Sequence, residues 1–447
     1  MRATLFAATG DLVPYYALYA LLFADHGFGP GQISLLLAFW SVTAFLFEVP
    51  SGAWADTVSR RGLLILNGLL MASGFVVWTV APSFTGFALG FVLWGVASSL
   101  RSGTFEALVY DELAAHGEAR SYARVIGYTR SASESSAVIA ILAATPLYLW
   151  GGYELVGWVS VGCAAVHTAL AASLPAAPKS VSAAEVGEFD DMDADTVPAV
   201  ATTPVVITPS PRPATTGPGA AADAPAGSEQ GTLRRYLWML RTGVAEAVRV
   251  RMVRRGVVLG ALLYGITAFD EYFGLVAGES GAATAFVPVL VGVTVLGSLL
   301  GSLLAGRTEA VSAHTLARAL GVAGVLFGAG ALVAGLAVRW PGAVYVCTGL
   351  GFAAIAAAYG VVYNVSIVAE ARLQDAISGP ARATVMSVSG LLEELVSLAV
   401  FGFVALATVW LSVSSTIALL GIALVALAGL TPFWLPPRPE PEVDPDT

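Results

Sequence analysis

The chain has 447 residues, of which 57% are hydrophobic and only 12% charged, with a mean hydropathy of +0.77 and a formal net charge of −9. Soluble globular chains carry about 25% charged residues, so this surface is too poor in charge for water and lipid must cover most of it. The acidity is local: residues 175–230 hold eight acids against Lys179 and Arg212 (−6), and residues 438–447 hold four acids against one base (−3), which leaves the rest of the chain balanced, so the net charge itself says nothing about nucleic acid, and no such partner is expected.

A membrane helix needs about 20 mostly apolar residues. In chain order the candidates are 5–24, 32–52, 62–81, 84–105, 122–149, 154–174, 254–277, 283–305, 313–337, 341–366, 384–407 and 411–433. The predicted fold class is therefore all-α and integral to a membrane, with twelve transmembrane helices in two six-helix halves, 1–174 and 254–433. The first span contains Asp11 and Pro14, unlike a cleaved signal peptide. Residues 175–230, rich in Pro, Ala, Thr and acids, read as a disordered cytoplasmic linker, and 434–447 as a disordered tail. In 231–253, Arg234, Arg235, Arg241, Arg249 and Arg251 alternate with Leu237, Trp238, Leu240, Val244 and Val248, which predicts a basic amphipathic helix on the inner leaflet.

Basic residues set the orientation. With both termini cytoplasmic, Arg60, Arg61, Arg120, Arg124, the run 234–255, Arg307, Arg318, Arg372 and Arg382 fall on the cytoplasmic side, and only Arg339 lies in an opposite loop. Lys179 is the sole lysine against 21 arginines, a bias that suggests a GC-rich bacterial genome and a plasma-membrane location. Cys163 and Cys347 sit in apolar runs and read as small buried hydrophobes. No clustered Cys/His pattern predicts a metal site, and no Gly-rich lysine loop predicts nucleotide binding, so no cofactor is expected.

The halves share weak internal similarity. Gly117-Glu118-Ala119-Arg120 opens the fifth span and Gly379-Pro380-Ala381-Arg382 the eleventh, each followed by carboxylates, Glu134 in one and Glu393 and Glu394 in the other. Between spans two and three the chain reads Gly52-Ala53-Trp54-Ala55-Asp56-Thr57-Val58-Ser59-Arg60-Arg61-Gly62. This resembles the signature loop of the major facilitator superfamily, with Ser59 where a second Gly is usual. In the second half the related loop is reduced to Gly301…Gly306-Arg307. The resemblance implies secondary transport and a gating charge cluster between the halves, here Asp56, Arg60 and Arg61 with Asp111 at the end of span four. Gly52 is expected to let helix backbones approach closely, and Asp56 to accept from a helix N-terminus.

Ionisable groups inside spans cost roughly 2.5–3.5 kcal/mol each at mid-helix and are functional candidates by default. Those nearest the cytoplasmic ends, Glu48, Glu106 and Arg101, read as ion-pairing groups, with Arg101 about one turn from Glu106 and expected to pair with it. Asp11, Arg130, Glu134, Asp270, Glu271, Glu393 and Glu394 are the candidates for proton coupling, with Arg130 and Glu134 spaced to share a helix face. The resemblance further implies a cavity lined by spans one, four, seven and ten, whose polar and aromatic residues are Tyr15, Tyr16, Tyr19, Trp94, Arg101, Tyr264, Tyr272, Tyr359, Tyr363 and Asn364. Such a lining suits an amphiphilic organic molecule. Two features common in drug–proton antiporters of that superfamily are missing: an arginine in mid span four, where Phe91-Val92-Leu93-Trp94-Gly95 stands, and a Pro-Gly pair in span five, where only Pro146 occurs.

The function expected is a monomeric, proton-coupled exporter of a small organic molecule. Symport-type or proton-independent uptake is the alternative. A membrane enzyme of the prenyl-transferase kind would need an acid cluster beside an apolar helix, and Asp190-Asp191-Met192-Asp193 lies in the linker instead. A receptor or scaffold would have no use for buried carboxylates in both halves.

Overall fold

The computed structural model describes residues 1–176, 178–179, 250–377 and 382–437. Almost all of the predicted linker and amphipathic helix, together with Gly379, Pro380, Ala381 and the tail from 438, lies outside the described residues.

Eleven helices among the described residues are long and apolar enough to cross a membrane: Arg2–Asp25, Pro30–Glu48, Arg60–Val80, Phe84–Ala115, Ala119–Ser173, Arg251–Glu279, Thr284–Thr308, Ala313–Arg339, Pro341–Ala376, Val388–Ala407 and Val413–Trp434. The fifth has 55 residues. As one rod it would be about 80 Å long, against a hydrocarbon core of about 30 Å. It doubles back at Gly151 and Gly152, where φ +60 and ψ −156 at Gly152 leave the helical region for one essentially reserved for glycine. Ala119–Ser173 therefore supplies spans five and six, and the chain has twelve spans in two halves. An even number of crossings puts the N-terminus and the end of span twelve at one end of the bundle, the near end.

Serine caps start several spans. The hydroxyls of Ser59, Ser83, Ser312 and Ser412 accept from the backbone N–H of Gly62, Gly86, Thr315 and Ser415, each worth about 1 kcal/mol. Ser59 and Ser312 open spans three and nine, equivalent positions in the two halves. At the far end the Glu279 carboxylate accepts from the Val413 and Ser414 N–H groups (3.2 and 2.7 Å) and the Ser414 hydroxyl (2.5 Å), placing a negative charge on the start of span twelve.

Small residues let spans pack backbone to backbone. A Cβ on Gly301 would collide with the Gly360 carbonyl and one on Gly297 with the Ala356 carbonyl, so spans eight and ten touch directly. Gly52 does not act this way: a Cβ there would meet open space, which corrects the sequence-based expectation. Cys163 and Cys347 are only half-buried. The outer surface is apolar, with Leu303, Val322, Leu350 and Ile422 exposed where lipid would lie.

The halves meet at mid-bundle and toward the far end. Tyr19 donates to Glu271, Ser34 and Tyr272 share a hydrogen bond of 2.7 Å, Ser41 donates to Glu394 at 2.5 Å, and Thr145 donates to the Ala285 carbonyl at 2.9 Å.

Candidate functional site

Spans one and seven, which correspond in the two halves, are both broken. Span one runs as an α-helix over Arg2–Gly10, leaves helical geometry at Asp11, passes through a 3₁₀ turn at Pro14–Ala17 and resumes at Tyr19–Asp25. Pro14, with no N–H and a fixed φ, suits the first position of the new turn. Span seven runs over Arg251–Gly265, becomes a 3₁₀ helix at Ile266–Tyr272 and resumes at Phe273–Glu279. Discontinuous helices at corresponding positions are where repeat-built transporters hold substrates and coupling ions. Both breaks carry carboxylates: Asp11 in one, Asp270 and Glu271 in the other.

At the first break Asp11 accepts from the Ser133 hydroxyl, from Tyr16 at 3.4 Å and from Arg101 at 3.5 Å. Arg101 thus pairs with Asp11 and not with Glu106 as expected. The helix of span four ends at Arg101, and Gly103 (φ +67) turns the chain before Thr104–Ala115 begins, so the assumed one-turn spacing does not exist.

Two buried residues beside this pair were missed in the sequence. Asn67 donates through its amide nitrogen to the Ala97 carbonyl at 2.8 Å, which orients its oxygen toward His167 Nε2 at 3.1 Å. His167 Nε2 therefore carries the proton. Nδ1 lies 3.0 Å from the Phe6 carbonyl and 3.2 Å from the Thr9 hydroxyl, and the ring stacks on Phe6. Gly10, Asp11, Tyr16, Trp40, Asn67, Met71, Trp94, Ser98, Arg101 and His167 enclose a cavity of about 200 Å³. Tyr16 and Trp94 stack in it, centroids 5.5 Å apart and 10° from parallel.

At the second break Tyr359 donates to Asp270 at 2.6 Å, while Glu271 reaches across to Tyr19. On span eleven, Glu394 also reaches across, to Ser41. Glu393 is half-buried and close enough to Glu370 to interact with it, as is Tyr264. Glu370 was overlooked because span ten was expected to end at 366, whereas its helix continues to Ala376. Arg130 and Glu134 are both exposed on span five, and their pair is not among the ion pairs of the described residues.

Several expected cavity residues face elsewhere. Tyr15 is buried inside the first half, bonded to Thr79 at 2.9 Å and packed on Phe75 and Trp78. Tyr272 is buried between the halves against Ser34. Asn364 donates to the Gly301 carbonyl at 3.0 Å and accepts from Thr308 at 2.9 Å, binding span ten to span eight. Tyr359 and Tyr363 pack together beside Asp270.

The loop charges cluster at the near end. Arg60 donates to Asp111 at 2.6 Å and to the Ala107 carbonyl at 3.0 Å, and lies 3.6 Å from Asp56. These contacts tie spans two, three and four of one half. The cap of span three is Ser59, the residue that departs from the usual motif. Arg61 reaches the Leu174 carbonyl at 3.4 Å. In the second half the buried Arg372 of span ten donates to the Glu309 and Val311 carbonyls at 2.8 and 2.6 Å, an inverted arrangement in which span ten supplies the cation.

The family model described as Major Facilitator Superfamily matches residues 3–392. The chain belongs to the major facilitator superfamily. Among solved structures, a crystal structure of a mutant of the nucleoside transporter NupG superposes with a TM-score of 0.61 over 97% of each chain at 12% identity, which shows a shared fold. No curated protein matches by sequence. This superfamily member is accordingly a multi-pass membrane transporter of twelve helices.

Proposed function

We propose that this superfamily member is a proton-coupled secondary transporter of a small organic molecule, working by alternating access as a monomer in a bacterial plasma membrane. The skewed arginine distribution supports cytoplasmic termini. The observation that carries the coupling is the placement of Asp11, Asp270 and Glu271 at the breaks of spans one and seven. Intramembrane carboxylates are costly and are kept where they serve transport. Glu271 and Glu394 also form hydrogen bonds between the halves. An ionised carboxylate accepts more strongly than a neutral one, so a proton arriving at either group weakens the contacts that hold the far end shut. Protonation and access are then one equilibrium. Glu134, Glu393 and Arg130 are further candidates along the proton's route. Direction follows from binding order: export, the first expectation, requires cargo to displace the proton, and uptake requires that they bind together.

The test is reconstitution in proteoliposomes with a pH-sensitive dye and a panel of organic anions, cations and neutral compounds. At least one compound should dissipate an imposed proton gradient, and Glu271→Gln or Glu394→Gln should slow that exchange. If no compound does so, or if both variants move protons at the normal rate, the coupling assignment is wrong.

A further inference from the structure

We propose that the cavity at the break of span one binds an aromatic carboxylate, its carboxylate on Arg101 and its ring against Trp94 and Tyr16. This deepens the transporter reading above and rests on it.

The argument starts from donors and acceptors. A guanidinium has five N–H donors. Arg101 uses one, toward Asp11 at 3.5 Å, the long limit for a hydrogen bond, and no other partner for it is present among the described residues. Asp11 is better supplied, since Ser133 and Tyr16 also donate to it. Three contacts thus reach an acceptor with about four sites, while four of the five Arg101 donors are unused by the protein. Trp40 contributes its ring to the wall; its indole Nε1 is sealed from the cavity as well as from solvent. Asn67 is already committed to the Ala97 carbonyl and to His167 Nε2.

The charged group left open in the cavity is thus a donor, with the Ser98 hydroxyl able to serve either way, so a ligand that brings acceptors is favoured. A carboxylate fits the planar fork of a guanidinium. A phosphate fits less well, because its second negative charge would face one arginine already balanced by Asp11. A cationic ligand would lie against the Arg101 guanidinium and would have to share Asp11 with it. The walls define the remainder of the ligand. Tyr16 lies flat on Trp94, and Trp40 stands 6.1 Å from Trp94 at 45°, so the apolar surface is made of ring faces and edges. At about 200 Å³ the space is below the roughly 300–1,000 Å³ of drug-sized pockets. It suits one small ring system.

The experiment is calorimetric titration of the purified full chain in lipid nanodiscs with 2-naphthoate, 2-naphthamide and 2-naphthylmethylammonium. Naphthoate should bind saturably and at least about tenfold more tightly than the amide, as expected for a charge-assisted contact, and the ammonium should show no binding. Arg101→Gln should erase the preference for the carboxylate, and Arg101→Lys should keep part of it, which shows that the fold survives change at this position. Absence of naphthoate binding, equal binding of amide or ammonium, or an unchanged preference in Arg101→Gln would each overturn the assignment. Binding is read without a proton gradient, so a site that binds but does not couple refutes only the function proposed above. Coupled transport of another compound without naphthoate binding refutes only this site.

Discussion

Replacement of Asp111 by leucine tests whether the near-end cluster is a structural lock. The Arg60 and Asp111 side chains are each 3% exposed and meet at 2.6 Å. Removing one partner of a buried pair typically costs about 3–5 kcal/mol, because the remaining charge is stranded away from water. Arg60 would retain the Ala107 carbonyl at 3.0 Å, the Ala55 carbonyl at 3.4 Å and Asp56 at 3.6 Å, which places Asp111→Leu toward the lower figure. About 3 kcal/mol is roughly a 150-fold change in the folding equilibrium at 1.36 kcal/mol per tenfold. Replacing both charges, as Arg60→Met with Asp111→Leu, leaves no stranded ion, and apolar exchanges of buried pairs are often neutral or stabilising. Heating detergent-solubilised protein and measuring the fraction that remains monodisperse gives the order: wild type and double variant close together, single variant clearly lower. A single variant as stable as wild type, or a double variant no better than the single, would refute the reasoning. Transport by the double variant then separates roles, since reduced turnover at normal stability assigns the cluster to the conformational cycle.

Gly152→Ala forces a Cβ into φ +60, ψ −156 and should cost about 1–3 kcal/mol; an unchanged melting profile would contradict the corner between spans five and six. Ser34→Ala combined with Tyr272→Phe removes one neutral hydrogen bond between the halves, worth about 1 kcal/mol or roughly fivefold in equilibrium; cysteine accessibility at the far end should rise, and no change would remove that bond from the closing contact. Affinity for an aromatic carboxylate should rise as pH falls. Asp11 and Arg101 pair, with Tyr16 and His167 in the same cavity, and an added carboxylate leaves one net negative charge that an accompanying proton neutralises; the limit is tenfold per pH unit, and a flat profile would mean that no proton enters with the ligand.

The twelve spans were legible because bilayer thickness demands a fixed length of apolar chain, and composition alone records it. Their internal breaks were not. Asp11 and Pro14 hinted at the first, but the 3₁₀ turn at Ile266–Tyr272 contains no proline, and 3₁₀ and α-helices differ in hydrogen-bond register more than in composition. Each break resets helical phase. For that reason periodicity did not tell Tyr15, which packs inside the first half, from Tyr16, which lines the cavity. The Arg101–Glu106 expectation failed on Gly103, a visible signal that an assumed continuous helix overrode. Asn67 and His167 are single polar residues in separate apolar runs, and only tertiary packing brings them together.

The two breaks are joined through one short segment. Tyr16 stacks on Trp94 in the cavity, and three residues later Tyr19 donates to Glu271 of the other half. Tyr19 does not line the cavity, yet the Pro14–Ala17 turn and the start of the following helix carry both side chains, so a displacement of Tyr16 by a ligand is also a displacement of Tyr19. A ligand shifts a conformational equilibrium only by its differential affinity for the two states. If the bond from Tyr19 to Glu271 belongs to the closed far end, removing it changes the population that the ligand meets. Tyr19→Phe should therefore change naphthoate affinity by about as much as it changes far-end accessibility, by the reciprocity of linked equilibria. Equal naphthoate affinity in Tyr19→Phe and wild type, alongside a shifted accessibility, would show that the cavity and the far-end contact do not communicate.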